Sequence, residues 1–135
     1  MNGEHGKKTG RARILVVDDE TPVAMMIVYL LTRAGCDAEV ALNAEQALQR
    51  AETEPFDLIT LDIGMAGLDG FALFHRFKEI PRLRETPVIF VTGQATVEDR
   101  KRAIEMGAAD FIEKPFEARE FVSRIFSQLE ETATP

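Results

Sequence analysis

Short apolar runs and helix-periodic stretches alternate along this chain. The first run, "ILVV" at 14–17, stops at Asp18 and Asp19. In "TPVAMMIVYLLTRAG" the positions Val23, Ile27, Leu30, Leu31 and Ala34 fall on one helical face. Thr21 is placed to cap that helix, Pro22 suits its first position and Gly35 can close it. "DAEVAL" reads as a second strand, and Asn43 with Gln46 resembles a capping box opening a helix that carries Ala47, Leu48 and Ala51. "FDLITL" is a third apolar run, ending on Asp62, and "GFALFHRFKEI" a third helix. "PVIFVT" ends on Thr92, after which "VEDRKRAIEMG" reads as a polar-faced helix stopped by Gly107. "DFIE" supplies a fifth strand that ends on Glu113 and Lys114, and "EFVSRIFSQLEE" a last helix with Phe121, Ile125 and Leu129 on one stripe.

Apolar runs that are near-continuous rather than alternating imply a sheet covered on both faces, and strand-helix alternation makes that sheet parallel. The predicted class is therefore α/β, a doubly wound sheet of five strands with five helices. In such sheets the site lies beyond the carboxyl ends of the strands, where the strand order reverses. Asp18, Asp19, Asp62, Thr92, Glu113 and Lys114 are distant in sequence but would share that rim.

Composition narrows the classes. A chain of 135 residues is the length of one domain, and folding should bury roughly two thirds of its surface. With 45% hydrophobic and 29% charged residues it is not a wholly disordered chain. Its apolar runs fall short of the roughly 20 residues that span a bilayer, and the N-terminal residues carry no apolar leader, so a cytoplasmic protein without a membrane segment is expected. The single cysteine, Cys36, fits a packing role in a reducing compartment. A net charge of −7 argues against nucleic-acid binding by this domain alone. The basic cluster Lys7, Lys8, Arg11 and Arg13 reads as a solvated tail, and His5 and His75 as surface residues.

Charge at the rim raises a chemical question. Two carboxylates ~4 Å apart repel by about 1 kcal/mol in water and about 4 kcal/mol at an effective dielectric constant of about 20. Three at one rim need a cation. Oxygen-only ligands favour a hard ion, and Mg²⁺ suits a site with few carboxylates and room for phosphate. A carboxylate nucleophile, a metal, a lysine and a hydroxyl are the parts for phosphoryl transfer through an aspartyl-phosphate.

Four segments in order, "VVDDE", "LITLDIGMAGLDG", "VIFVTG" and "ADFIEKPF", resemble those of the receiver domain of two-component response regulators, of the chemotaxis-regulator-like kind. The likeness runs from Arg13 to about Glu131. It implies the flavodoxin-like strand order 2-1-3-4-5 and a role in phosphorelay signalling. By the same resemblance Asp62 accepts the phosphoryl group, while Asp18 and Asp19, one of these two through water, join Asp62 around Mg²⁺, with the backbone carbonyl of Gly64 as a further ligand. Lys114 and Thr92 would hold phosphoryl oxygens, Phe111 would reorient with Thr92 as the switch, and the Lys114-Pro115 bond would be cis. The implied partners are a sensor histidine kinase or histidine phosphotransfer protein, and an effector or second copy bound through the fourth helix, fifth strand and fifth helix. No enzyme activity is implied beyond Mg²⁺-dependent gain and loss of the chain's own phosphoryl group. Residues 13–131 would form the receiver, 1–12 a flexible basic tail, and 132–135 a C-terminal tail or linker start. One departure is Ala66, where the family usually has proline, which loosens the loop after Asp62 without removing a reacting group.

Other classes fit less well. A haloacid-dehalogenase-like phosphatase needs a second acid two residues after the nucleophile, where this chain has Gly64. Flavodoxin-like or dinucleotide binders need hydroxyls or glycines after the first strand, and "DDETP" is acidic instead. A phosphate-independent interaction module of the same fold is the main alternative, and the complete set Asp18, Asp19, Asp62, Thr92 and Lys114 argues against it.

Overall fold

Each apolar run forms a strand: β1 (Arg13–Val17), β2 (Asp37–Ala41), β3 (Leu58–Leu61), β4 (Val88–Thr92) and β5 (Asp110–Glu113). The helices between and after them are α1 (Thr21–Arg33), α2 (Ala44–Thr53), α3 (Gly70–Lys78), α4 (Val97–Met106) and α5 (Ala118–Ala133), with a 3-10 turn over Pro81–Leu83. This computed structural model describes residues 10–65, 68–93 and 95–133. His5, Lys7, Lys8, Ala66 and the last two residues of the expected C-terminal tail lie outside them. All neighbouring strands run parallel in the order β2-β1-β3-β4-β5, as expected. A two-residue antiparallel ladder, Gly64–Met65 against Leu68–Asp69, was not foreseen; it folds back just beyond β3.

Strand residues alternate between two cores, which is why the runs are apolar throughout. Leu15, Val17, Ile59, Leu61, Val88, Phe90 and Phe111 pack with Ala47 and Ala51 of α2, the phenylalanines of α3 and Ala103 of α4. Ile14, Val16, Leu58, Ile89, Val91 and Ile112 pack with Ala24, Ile27 and Leu31 of α1 and Phe121, Ile125 and Leu129 of α5. Cys36 is buried in that second core, and His75 is exposed. No helix of the described residues is long and apolar enough to cross a membrane.

Local signals behaved unevenly. Asn43 caps α2 by accepting from Gln46 N–H at 2.8 Å, and the Gln46 side chain accepts from Leu42 N–H at 2.9 Å. Gly35 and Gly107 take positive φ, 99° and 102°, just past α1 and α4. Thr21, however, is the first residue of α1 and not its cap; Glu20 holds the cap position without a side-chain bond. The reason lies one step back, where Asp18 Oδ1 accepts from Glu20 N–H at 2.9 Å and turns the chain into the helix. Arg13 also departs from the tail reading. It opens β1, pairs with Glu39 and Glu54 at 2.8 Å each, and covers the Phe56 ring; Arg11 reaches Asp37 at 3.1 Å.

The start of α3 is pressed against the end of β3. Gly70 N–H donates to the Ile63 carbonyl at 2.9 Å, and Asp69 caps the helix by accepting from Phe71 N–H at 2.9 Å. A methyl group at Gly70 would overlap the Asp62 carbonyl oxygen and come within 2.7 Å of Ile63 Cα. Both obstacles are backbone and cannot swing aside. Gly70→Ala is expected to cost about 1–3 kcal/mol in urea unfolding. Gly93→Ala, whose nearest neighbour would be Lys114 Cβ at 3.9 Å, should cost less than about 0.5 kcal/mol. Equal losses in the two variants would show that close approach is not what requires glycine at 70.

Candidate functional site

Register builds the site. β1 and β3 lie side by side with Val17 opposite Leu61, so the next residues, Asp18 and Asp62, leave the sheet at the same height. Each extends its ladder by one bond: Asp62 N–H donates to the Val17 carbonyl and Asp18 N–H to the Ala41 carbonyl, both at 3.1 Å. Thr92 ends β4 opposite Glu113 of β5, and Lys114 N–H donates to the Thr92 carbonyl at 2.9 Å. The Lys114-Pro115 bond is cis. The helix that follows β1 covers one face of the sheet and the helix that follows β3 the other. Asp18 and Asp62 therefore flank the point where the strand order reverses.

Lys114 ties the two carboxylates together. Its Nζ donates to Asp18 Oδ2 at 2.8 Å and to Asp62 Oδ2 at 3.2 Å, and lies 3.7 Å from Glu20 Oε1. The Asp18, Asp62 and Lys114 side chains are 2%, 8% and 13% exposed, so the bridge works largely out of water. Burial pushes the Asp18 carboxyl above its ordinary value, against the opposing pull of the Lys114 bond and the Glu20 N–H. Burial alone would push Lys114 down, but its bond to Asp18 and the charges of Asp62 and Asp18 outweigh it and hold the ammonium above its usual range. The two shifts differ in origin: burial raises Asp18, and the two carboxylates that Lys114 bridges raise the lysine.

Asp62, Thr92 and Lys114 line an open cleft of about 620 Å³ with Asp19, Glu20, Gly64, Met65 and Gly93, and Asp18 joins it through its bond from Lys114. Thr92 is wholly buried. Gly64 N–H donates to Asp62 Oδ1 at 3.2 Å and fixes the rotation of that carboxylate. The carboxylates that converge are Asp18, Asp62 and Glu20, with ligand oxygens all within 4.8 Å of one another; Asp19 lines the cleft beside them. Glu20 was not singled out from the sequence. Its backbone is still extended, and alternate residues of extended chain share a side, so the spacing from Asp18 was the available signal. Gly70 was missed for a different reason, since its neighbour is Asp62 backbone rather than a sequence-local group. Phe111 stands one strand further out, 1% exposed, with its ring 6.3 Å from that of Phe90.

The donor chemistry fits a hard divalent cation. Three carboxylates offer oxygen only, their net charge exceeds what Lys114 supplies, and the cleft leaves room for water or phosphate oxygens to complete a shell.

Comparison with known proteins agrees with this geometry. The family model described as response regulator receiver domain matches residues 14–126. The transcriptional activator protein IrlR of Burkholderia pseudomallei is 40% identical over 117 residues, which is 87% of this chain and 50% of that protein. The phosphate regulon transcriptional regulatory protein PhoB of Escherichia coli is 36% identical over 113 residues, 84% of this chain and 49% of that one. The chain thus spans about half the length of these curated relatives. Among solved structures, a CheY-like response regulator receiver domain protein from Methanospirillum hungatei superimposes with a TM-score of 0.85 at 29% identity, over 91% of this chain and 97% of its own. A putative response regulator from Chloroflexus aurantiacus gives 0.84 at 32% identity, over 89% and 98%. Sequence, topology and the corner where β1, β3 and β5 end lead to one assignment, and this chain belongs to the receiver-domain family of two-component response regulators.

Proposed function

We propose that Asp62 accepts a phosphoryl group from a phosphohistidine of a sensor kinase or histidine phosphotransfer protein. The observation that carries this is the buried bridge from Lys114 Nζ to Asp18 and Asp62, 2.8 and 3.2 Å, at the mouth of an open cleft. An Asp62 oxygen forms the new bond to phosphorus while the bond from phosphorus to the donor imidazole nitrogen breaks. The electron pair stays on that nitrogen, which takes a proton from solvent. Mg²⁺ bound to Asp18, Asp62 and either Glu20 or Asp19, with the Gly64 carbonyl, would neutralise the oxygens of the transferring group. Gly64 N–H orients the attacking carboxylate, Lys114 turns its ammonium to a phosphoryl oxygen, and the Thr92 hydroxyl binds another. The chain is an acceptor that gains and loses its own phosphoryl group, and is not an enzyme acting on other substrates.

The signal leaves through α4, β5 and α5, where an effector or second copy binds; a cytoplasmic setting fits a kinase-fed module. The dianion at Asp62 draws Thr92 toward the phosphoryl group and favours the arrangement in which Phe111 is buried, as it is here. The donor docks along α1. Met25, Met26 and Tyr29 are exposed on consecutive turns of that helix, whose first residue follows Glu20 at the cleft.

Three outcomes are expected. A cation that binds only the folded chain adds RT ln(1 + [L]/Kd), about 1.4 kcal/mol at tenfold over Kd. Mg²⁺ should therefore raise the melting temperature, and Asp18→Asn should abolish the rise; a flat profile to millimolar Mg²⁺ in the intact protein removes the metal from this reading. Acetyl phosphate with Mg²⁺ should add one phosphoryl group by mass, at Asp62, and none in Asp62→Asn, whose amide is not a nucleophile. Peptide mapping of the label to another residue would falsify the assignment. Tyr29→Glu and Met26→Glu should slow transfer from a phosphohistidine donor by about tenfold, the equivalent of about 1.4 kcal/mol, yet leave labelling by acetyl phosphate unchanged. Slowing of both reactions together would place the effect in the site and not in docking.

A further inference from the structure

Helix α4 is held to the protein in an unusual way. Of its residues only Ala103 is buried, while Val97 and Ile104 are exposed at 79% and 54%. Met106 adds one partly buried contact with the core, so apolar burial seats this helix only weakly. Two arginines do more. The Arg102 guanidinium lies 4.1 Å from the centre of the Phe71 ring, and that of Arg100 lies 4.9 Å from the centre of the Phe111 ring. Arg100 also reaches the Phe111 carbonyl at 3.5 Å and Glu113 at 3.5 Å.

The two rings beneath these cations are the ends of one aromatic chain. Phe71 meets Phe90 at 5.2 Å, and Phe90 meets Phe111 at 6.3 Å. Each ring also belongs to a segment that bears on the cleft: Phe71 follows Gly70, which abuts Asp62 backbone, Phe90 lies two residues before Thr92, and Phe111 three before Lys114. A ring that tilts or withdraws changes the surface on which an arginine of α4 rests.

We infer that Arg100 and Arg102 clasp α4 to the ends of the Phe71–Phe90–Phe111 chain, and that the Arg100 clasp favours the inward Phe111 whether or not a phosphoryl group is present. This deepens the reading of Asp62 and Phe111 given above and rests on it. The phosphoryl-free receiver is then biased toward its switched arrangement by a cation outside the site. Weakening that cation makes the signalling face depend more steeply on the phosphoryl group, because a ligand shifts only the population that remains to be shifted. Arg100 is a positioning residue: it acts through Phe111 and touches no reacting atom.

The test compares the intact protein with Arg100→Gln, Arg100→Lys and, as a control, Lys101→Gln. Gln and Arg have similar helix propensity, so α4 should still form in each. Ring ¹H-¹³C shifts of Phe111 and amide shifts of β5 and α4 are recorded in the free protein and with Mg²⁺ and beryllofluoride. In Arg100→Gln the free-state Phe111 signals should move away from their beryllofluoride positions, and the free-to-bound difference should grow at least about threefold. Arg100→Lys, which keeps a cation over the ring, should restore part of the free-state position, and Lys101→Gln should change nothing. Free-state Phe111 signals that are as unmoved in Arg100→Gln as in Lys101→Gln overturn the clasp. Absence of any beryllofluoride response at Asp62 in the intact protein instead overturns the phosphoacceptor reading, while the free-state comparison still decides the clasp.

Discussion

The ammonium of Lys114 between Asp18 and Asp62 is the interaction on which the arrangement of this receiver turns. Parallel pairing of β1 with β3 forces two carboxylates out of the sheet side by side, and neither can move without breaking its backbone bond to the neighbouring strand. Their repulsion cannot be relieved by distance. It is relieved by a cation delivered from β5, beyond the intervening strand β4, on a side chain long enough to reach both. A pair of buried like charges with one counter-ion is a poor way to stabilise a fold, and burial raises the Asp18 carboxyl in spite of the Lys114 bond. Removing Lys114 would leave both carboxylates buried without their counter-ion. What this corner holds is a deficit of positive charge, concentrated at a cleft that ions and phosphate can enter.

Much of this could be read from the chain because the relevant information is local in the right sense. Runs such as "ILVV" and "FDLITL" fix where strands stop, and in a parallel sheet all strands stop at one rim. Knowing only that Asp18, Asp62, Thr92 and Lys114 end strands is therefore enough to bring them together. Features set by contact between non-neighbouring groups stayed hidden. The need for glycine at 70 comes from Asp62 backbone eight residues earlier, and Glu20 joins the carboxylates through the extended backbone that Asp18 itself imposes on the entry to α1. Thr21 looked like a cap because cap preferences ignore a competing aspartate three residues upstream. In α4, the charged residues suggested only a solvated face or an interface, yet Arg100 and Arg102 face rings 11 positions ahead and 31 behind them.

The two sides of the sheet are built to different standards. α1 and α5 close their face with Ile27, Leu31, Phe121 and Ile125, all wholly buried, and α3 lays Phe71, Leu73, Phe74 and Phe77 into the other. α4 contributes one buried alanine and the partly buried Met106. Free energy of local opening follows buried apolar contact, so the helix beside the site with the fewest such contacts is the one with the lowest barrier to displacement. Its attachment by guanidinium-ring stacks changes the character of that barrier. Dispersion in a packed core is lost all at once when side chains separate, whereas an exposed cation over a ring trades its contact for water at small cost and can slide before it lets go.

That difference connects the charge at Asp62 to the surface. Under the proposed phosphorylation of Asp62, the new dianion would act on groups within a few ångströms, which here are backbone at Gly64, the Lys114 ammonium and the end of β4. None of these is on α4. The aromatic chain is what lies between, since Phe71, Phe90 and Phe111 each belong to a segment that borders the cleft and together they form the floor under α4. Rings packed at 5.2 and 6.3 Å cannot each relax alone, because a close-packed interior has few voids to absorb a tilt. In the proposed switch, a local electrostatic change at the strand ends would be converted into a change of floor, and a helix resting on that floor through two cations would slide to a new seat on it.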